Sequence, residues 1–272
     1  MHAKLTIDIA THDIPQNTVL DFSDERDFNG TVFLFITSTD WEQYKNATKS
    51  MRNVEIIGPG REYGHVGDVI EEAAFFSMQN VIIRGFGTGL LFGNSTWCNS
   101  FFGCSIYRCN NIIDYPNSVG SGENIRFFGS TFFNSINGIT IKHGASLNFH
   151  SCAFDYIHNN VFDIKSGATV FLNACHIESK LEKELVNMDS DWAHFSMRDS
   201  TTWFVPGHGY GTPFQNNSGN IILDNNVIYN LKSDYLQEGN GNINSKNMRY
   251  LGQGNKYVYD KKPSRPWWMF WS

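Results

Sequence analysis

Asp155 and Glu178 are two carboxylates 23 residues apart, each placed directly after a large apolar residue, in Phe154-Asp155 and Ile177-Glu178. The segments Phe149-His-Ser-Cys-Ala-Phe-Asp155 and Leu172-Asn-Ala-Cys-His-Ile-Glu178 align residue for residue. If the two segments are equivalent strands on successive turns of one stack, the carboxylates lie one above the other, at the ordinary strand spacing of roughly 5 Å. That is near the separation of the two carboxyl groups in a retaining glycosidase. Like charges that close raise one pKa, leaving one acid and one anion near neutral pH. On this reading Glu178 is the general acid and Asp155 the base or nucleophile, with exchange of the two roles left open. Ordinary surface polarity, or hydrogen bonding at a corner, would produce the same ladder.

The elements that must hold this pair are visible as a repeat. Phe101-Phe-Gly-Cys-Ser-Ile-Tyr107 and Phe127-Phe-Gly-Ser-Thr-Phe-Phe133 are two further copies. The resulting columns are Phe101, Phe127, Phe149, Leu172; then Cys104, Ser130, Cys152, Cys175; then Ile106, Phe132, Phe154, Ile177; and then Tyr107, Phe133, Asp155, Glu178. Apolar and polar residues alternate within each copy, which is strand periodicity, and Gly, Asn and Ser punctuate the copies. A period of 20–30 residues with short β-rich units means stacked coils that bury a shared interior. The predicted fold is all-β: a right-handed, single-stranded parallel β-helix with coils of about 23 residues.

The repeat extends both ways. Asn53-Val-Glu-Ile-Ile-Gly58 and Asn80-Val-Ile-Ile-Arg-Gly85 read as earlier rungs, with strands at Thr18–Phe22 and Thr31–Ile36 before them. Ala193–Met197 and Asn220–Asp224 continue it, and beyond about Lys232 it fades into Gly/Asn-rich sequence. The expected organisation is N-terminal strands and a cap over 1–52, the central helix over 53–231, and a C-terminal cap or subunit contact over 232–272. Asp40–Arg52 is the one expected short helix or long loop, and the tail Pro263–Ser272 carries three Trp, a Met and a Phe.

Composition narrows the function classes. A net charge of −6 with no strong basic cluster argues against a nucleic-acid surface. No apolar run approaches the length of a membrane span, and no secretory leader is visible at Met1–Thr6. The five cysteines do not form a disulfide framework and have no metal-ligand spacing. They read as reduced thiols, three of them in one inward column. No metal or other cofactor is expected. Gly207-His208-Gly209 is similar to a polygalacturonase-type motif, but the accompanying acidic motifs are missing, so Pro206–Pro213 reads as a turn-rich loop.

Gly122-Glu123-Asn-Ile, Cys152-Ala-Phe-Asp155-Tyr156 and Cys175-His176-Ile-Glu178 together resemble the central β-helix of bacteriophage tailspikes. These are pectin-lyase-like proteins that degrade capsule or lipopolysaccharide. Ile14–Phe22, Gly85–Phe92 and Ser95-Thr-Trp97 match as well, so the resemblance covers roughly 5–230. It implies a homotrimer on a phage tail, made in the host cytoplasm and acting at the host surface on a bacterial polysaccharide. The attachment domain usual in that family is not evident. The resemblance strengthens Asp155 and Glu178 as catalytic residues. Glu123 is a third carboxylate candidate, placed at a corner. His176 falls on the face of Glu178 and is a candidate to bind a sugar hydroxyl or tune the carboxylate, chance surface placement being the alternative. Tyr107, Arg108, Tyr156 and Trp97 are candidate sugar contacts; Trp192 and Trp203 read more readily as packing. Three functions stay open. They are a glycan hydrolase, a lyase with Tyr156 or His176 as base and Arg108 neutralising a uronate, and a non-catalytic glycan-binding fibre.

Overall fold

The structure is a computed structural model that describes residues 5–8, 16–26, 31–36, 50–116, 121–180, 183–206, 212–252 and 258–261. The described residues contain strands β1 to β28 and no helix, and every strand pairing is parallel. The chain is a right-handed parallel β-solenoid.

Each coil contributes strands to three ladders. The first holds β4 (Ser50–Arg52), β7 (Ser77–Gln79), β10 (Ser100–Phe102), β13 (Ile125–Phe128), β16 (Ser146–His150) and β19 (Thr169–Asn173). The ends of β21 (Val186–Arg198) and β23 (Phe214–Asp224), and then β26 (Asn242–Lys246), continue it. The second holds β2 (Thr18–Asp21), β5 (Val54–Ile57), β8 (Ile82–Arg84), β11 (Ser105–Tyr107) and β14 (Thr131–Phe133). β17 (Ala153–Asp155), β20 (His176–Ser179), β22 (Thr201–Phe204), β24 (Val227–Tyr229) and β27 (Arg249–Leu251) complete it. The third starts with β1 (Leu5–Asp8), β3 (Thr31–Ile36), β6 (Val66–Glu71), β9 (Thr88–Phe92), β12 (Asn111–Tyr115), β15 (Asn137–Ile141) and β18 (Phe162–Ile164). It ends in the starts of β21 and β23, β25 (Tyr235–Glu238) and β28 (Tyr259–Lys261).

The columns read from the sequence are the columns of the structure. Phe101, Phe127, Phe149 and Leu172 are register partners, and the Phe rings stack at 4.5 and 4.9 Å. Ile106, Phe132, Phe154 and Ile177 pair likewise, all buried. Offset stacking at these separations adds to what burial of the rings contributes. Cys104, Cys152 and Cys175 are buried free thiols at the corner between the first two ladders. Burial pushes Cys104 up to about 11, which keeps it protonated and unreactive.

That corner is a one-residue turn repeated down the stack. Asn53, Asn80, Gly103, Gly129, Ser151, Ala174, Asp199, Asn225 and Asn247 all sit near φ +50° to +60°. Asn, Asp and Gly tolerate this left-handed backbone, which explains their recurrence. Pairing does not stop at Lys232, for β25 to β28 extend the ladders where the sequence repeat fades. In β26 the outward residues are polar and its apolar content is low, so backbone bonding carries the rung where hydrophobic patterning cannot reveal it. Ser50–Arg52, at the end of the expected helix or loop, is strand β4. Positions 40–49, the Gly207–Gly209 motif and the Trp-rich tail lie outside the described residues.

Candidate functional site

The outward face of the second ladder brings Asp155 and Glu178 together as register partners on β17 and β20. Both follow inward residues, Phe154 and Ile177, and strand alternation turns them outward. His176 lies on the same face two residues before Glu178. Its Nε2 is 3.9 Å from Asp155 Oδ1 and 4.0 Å from Glu178 Oε2, so one imidazole sits between two carboxyl groups. The two acids differ in surroundings. Asp155 Oδ1 is buried and has no hydrogen-bond partner. Desolvation raises the Asp155 pKa above the ordinary carboxylate value; His176 opposes this and the Glu178 charge adds to it. Glu178 Oε1 instead accepts a hydrogen bond from the Tyr156 hydroxyl at 2.7 Å. That bond to an anion in turn raises the Tyr156 phenol.

Tyr156 reaches Glu178 from an unusual backbone. It occupies the corner after the second ladder with φ +55°, a region costly for a large L-residue. Successive coils place Gly85, Arg108, Asn134 and Tyr156 at this corner; each backbone N–H donates to the carbonyl of the residue preceding the next corner residue. Lys180 Nζ lies 5.5 Å from the Tyr156 ring centroid on the same side.

Aromatic stacks bracket the acids. The outward column runs Arg84, Tyr107, Phe133, Asp155, Glu178, Trp203, Tyr229 through consecutive register pairs. Tyr107 stacks on Phe133 at 4.3 Å, and Trp203 on Tyr229 at 5.1 Å, with rings 13° and 21° from parallel. The acidic cluster is thus flanked along the column by an aromatic pair on each side.

Of the residues singled out in the sequence, Asp155, Glu178, His176, Tyr156 and Tyr107 converge here. Arg108 lies on the same corner two coils before Tyr156 and lines a recess with Arg84. Glu123 and Trp97 do not join them. They line a separate recess of about 420 Å³ with Ser121 and His143, at the corner between the third and first ladders. The corner placement expected for Glu123 holds, but on another edge of the prism. Trp203, Tyr229 and Arg84 belong to the site's column, although the sequence reading did not assign them to it. The coil spacing carried the signal, since Trp203 and Tyr229 follow Glu178 by 25 and 51 residues. Among the described residues no His, Cys, Asp and Glu cluster could hold a metal ion.

Fold and face together define a right-handed parallel β-helix bearing an acidic cluster between aromatic stacks on one outward ladder. No family model matches the chain. Over 258 residues it is 27% identical to an uncharacterized 65.4 kDa protein in the cps region of Klebsiella pneumoniae, covering 88% of this chain and 43% of that protein. Among solved structures, it superposes on the enzymatically active domain of bacteriophage CBA120 tailspike protein 4 with a TM-score of 0.71 at 17% identity, covering 94% of this chain and 40% of the other. The alginate lyase of Paenibacillus sp. str. FPU-7 gives 0.61 at 10% identity, over 90% of this chain and 99% of that one. The chain thus spans about two fifths of the Klebsiella protein and of the tailspike domain. The likeness to the solved structures concerns the fold, and it bears out the parallel β-helix read from the sequence.

Proposed function

We propose that this chain is the glycan-binding and glycan-cleaving β-helix of a phage tailspike-type protein, acting on a bacterial surface polysaccharide. The observation that carries the reading is the unequal pair Asp155 and Glu178. A half-buried carboxyl with one oxygen lacking a hydrogen-bond partner and a raised pKa is suited to donate a proton to the leaving glycosidic oxygen. A carboxylate that accepts a hydrogen bond from Tyr156 at 2.7 Å is oriented to act as base or nucleophile. This assigns Asp155 as acid and Glu178 as its partner, the exchange of roles that spacing alone left open. His176 Nε2 lies between them, 3.9 Å from Asp155 and 4.0 Å from Glu178. Tyr107, Phe133, Trp203 and Tyr229 would bind sugar rings on either side.

The fold likeness to a tailspike domain supports a polysaccharide-directed role on a phage tail; capsule or O-antigen as substrate, extracellular action and a homotrimer are what the sequence resemblance to tailspikes implies. The bond to Glu178 makes Tyr156 harder to deprotonate and so a poorer lyase base; elimination with His176 as base is the alternative reading.

Purified protein spotted on lawns of diverse capsulated bacteria tests the reading. Clearing halos on a narrow set of strains are expected, with new reducing ends and no ultraviolet-absorbing unsaturated product. Asp155→Asn and Glu178→Gln should each lower cleavage about 10²–10⁴-fold while keeping binding. Unsaturated product would replace hydrolysis by elimination; strain-specific binding without product would leave a non-catalytic receptor-binding fibre.

A further inference from the structure

The corner that carries Tyr156 opens, toward the N-terminal end, into a recess of about 380 Å³ lined by Arg61, Arg84 and Arg108. Its shape follows from the corner residues. Gly58 and Gly85 occupy the two coils above Arg108 and line the recess beside the guanidinium groups. Arg84 is fixed: its Nε donates to Glu55 Oε1 at 2.7 Å, which leaves the terminal nitrogens of the fork for a ligand. Arg61 and Arg108 are exposed and have no ion-pair partner among the described residues. Asn134, on the next coil, supplies a neutral polar group. Glu62 is the single acid on the lining, and with Glu55 spent on Arg84 the recess keeps a positive excess in a chain of net charge −6.

Arg108 is two coils from Tyr156 along one corner, about 10 Å at roughly 4.8 Å per coil. The recess therefore lies in line with the acidic cluster, with the Tyr107–Phe133 stack alongside the interval. Guanidinium groups in a planar fork match a carboxylate in two-point fashion, which hydroxyl groups of a neutral sugar cannot reproduce.

We propose that Arg61, Arg84 and Arg108 form a subsite for a sugar carboxylate, so that the polymer bound on this face is acidic and is positioned by a charged unit on the N-terminal side of the Asp155–Glu178 pair. This rests on the glycan-binding reading above. Glu62 tempers the subsite, limiting how tightly that unit is held.

Affinity electrophoresis of the whole chain through gels containing purified uronate-bearing capsular polysaccharides tests this, each polymer paired with its carboxyl-reduced form. At least one acidic polymer should retard the protein, and carboxyl reduction should weaken retardation tenfold or more. Arg61→Ala with Arg108→Ala should weaken it similarly without changing the unfolding temperature, and Glu62→Gln should strengthen it. Equal retardation by reduced polymers, no loss in the double arginine variant, or no retardation by any acidic polymer overturns the subsite. Cleavage of a neutral polymer that depends on Asp155 would sink the subsite and leave the proposed activity standing. Carboxylate-dependent retardation without any product would do the reverse.

Discussion

The Tyr156 hydroxyl donates to Glu178 Oε1 at 2.7 Å across one coil step, from a backbone at φ +55°. A tyrosine held in the left-handed region is uncommon, and such strain persists where surrounding structure enforces it. Here the enforcement is the Tyr156 N–H donating to the Glu178 carbonyl at 2.7 Å, so main chain and side chain of the same two residues are bonded together. Tyr156→Phe keeps the backbone bond and removes the hydroxyl. Cleavage should fall about tenfold, the size of one lost hydrogen bond to an anion near water, with the unfolding temperature unchanged. A full-activity Phe variant would remove Tyr156 from the machinery.

Asp155 gives the site a pH signature. Burial raises its pKa, so the proton needed for an acid role is retained to higher pH than an ordinary aspartate allows, and cleavage declines as pH rises through that value. The His176 charge works against the shift, so His176→Ala should move the alkaline limb of the rate profile to higher pH. Glu178 adds to the shift, so in Glu178→Gln the Asp155 carboxyl should titrate at lower pH, read by carbon NMR. Movement of either in the opposite sense would exclude Asp155 as the proton donor.

Trp203 was legible only as an isolated aromatic until the coils were stacked; it then proved to be the register partner of Glu178. The residue is 43% exposed and its ring stacks on Tyr229. Trp203→Ala should weaken polymer binding about fivefold, near 1 kcal/mol, and leave turnover of bound polymer intact. Phe171, 38% exposed on the first ladder, provides the control: Phe171→Ala should leave binding unchanged. Equal effects of both would mean that the second ladder is not the binding face.

Why some residues were readable and others not follows from the geometry of a coil. Asp155 and Glu178 sit on strands, where a fixed offset from an inward Phe154 or Ile177 sets their direction and the repeat sets their neighbour. Glu123 and Trp97 sit at corners, and a linear repeat does not say which of three edges a corner residue occupies; both face a recess shared with His143. Arg84 was hidden differently. It ends an apolar strand, Ile82-Ile-Arg84, and only pairing with Tyr107 places it at the head of the acidic column. The C-terminal rungs were obscured because Asn242–Lys246 carries little apolar content, yet its backbone pairs with β23 throughout.

One buried charge stands outside the site. Asp68 belongs to the inward column of the third ladder, above Leu90, Ile113, Ile139 and Phe162 in register. It is fully buried, and neither carboxyl oxygen has a hydrogen-bond partner. Burial lifts its pKa well above the usual value; the adjacent Val69 N–H offsets part of this without completing a bond. A carboxyl whose folded pKa is raised costs nothing through ionisation below the unfolded value near 3.8, and a growing amount as pH climbs from there to the folded value. Asp68→Leu should therefore stabilise the solenoid by on the order of 1–3 kcal/mol at neutral pH, since an unpartnered buried polar group is lost as well. The gain should shrink as pH falls toward 4. Denaturant unfolding at several pH values measures this. A Leu variant less stable than the parent at neutral pH would mean that the Asp68 carboxylate is satisfied in the folded protein.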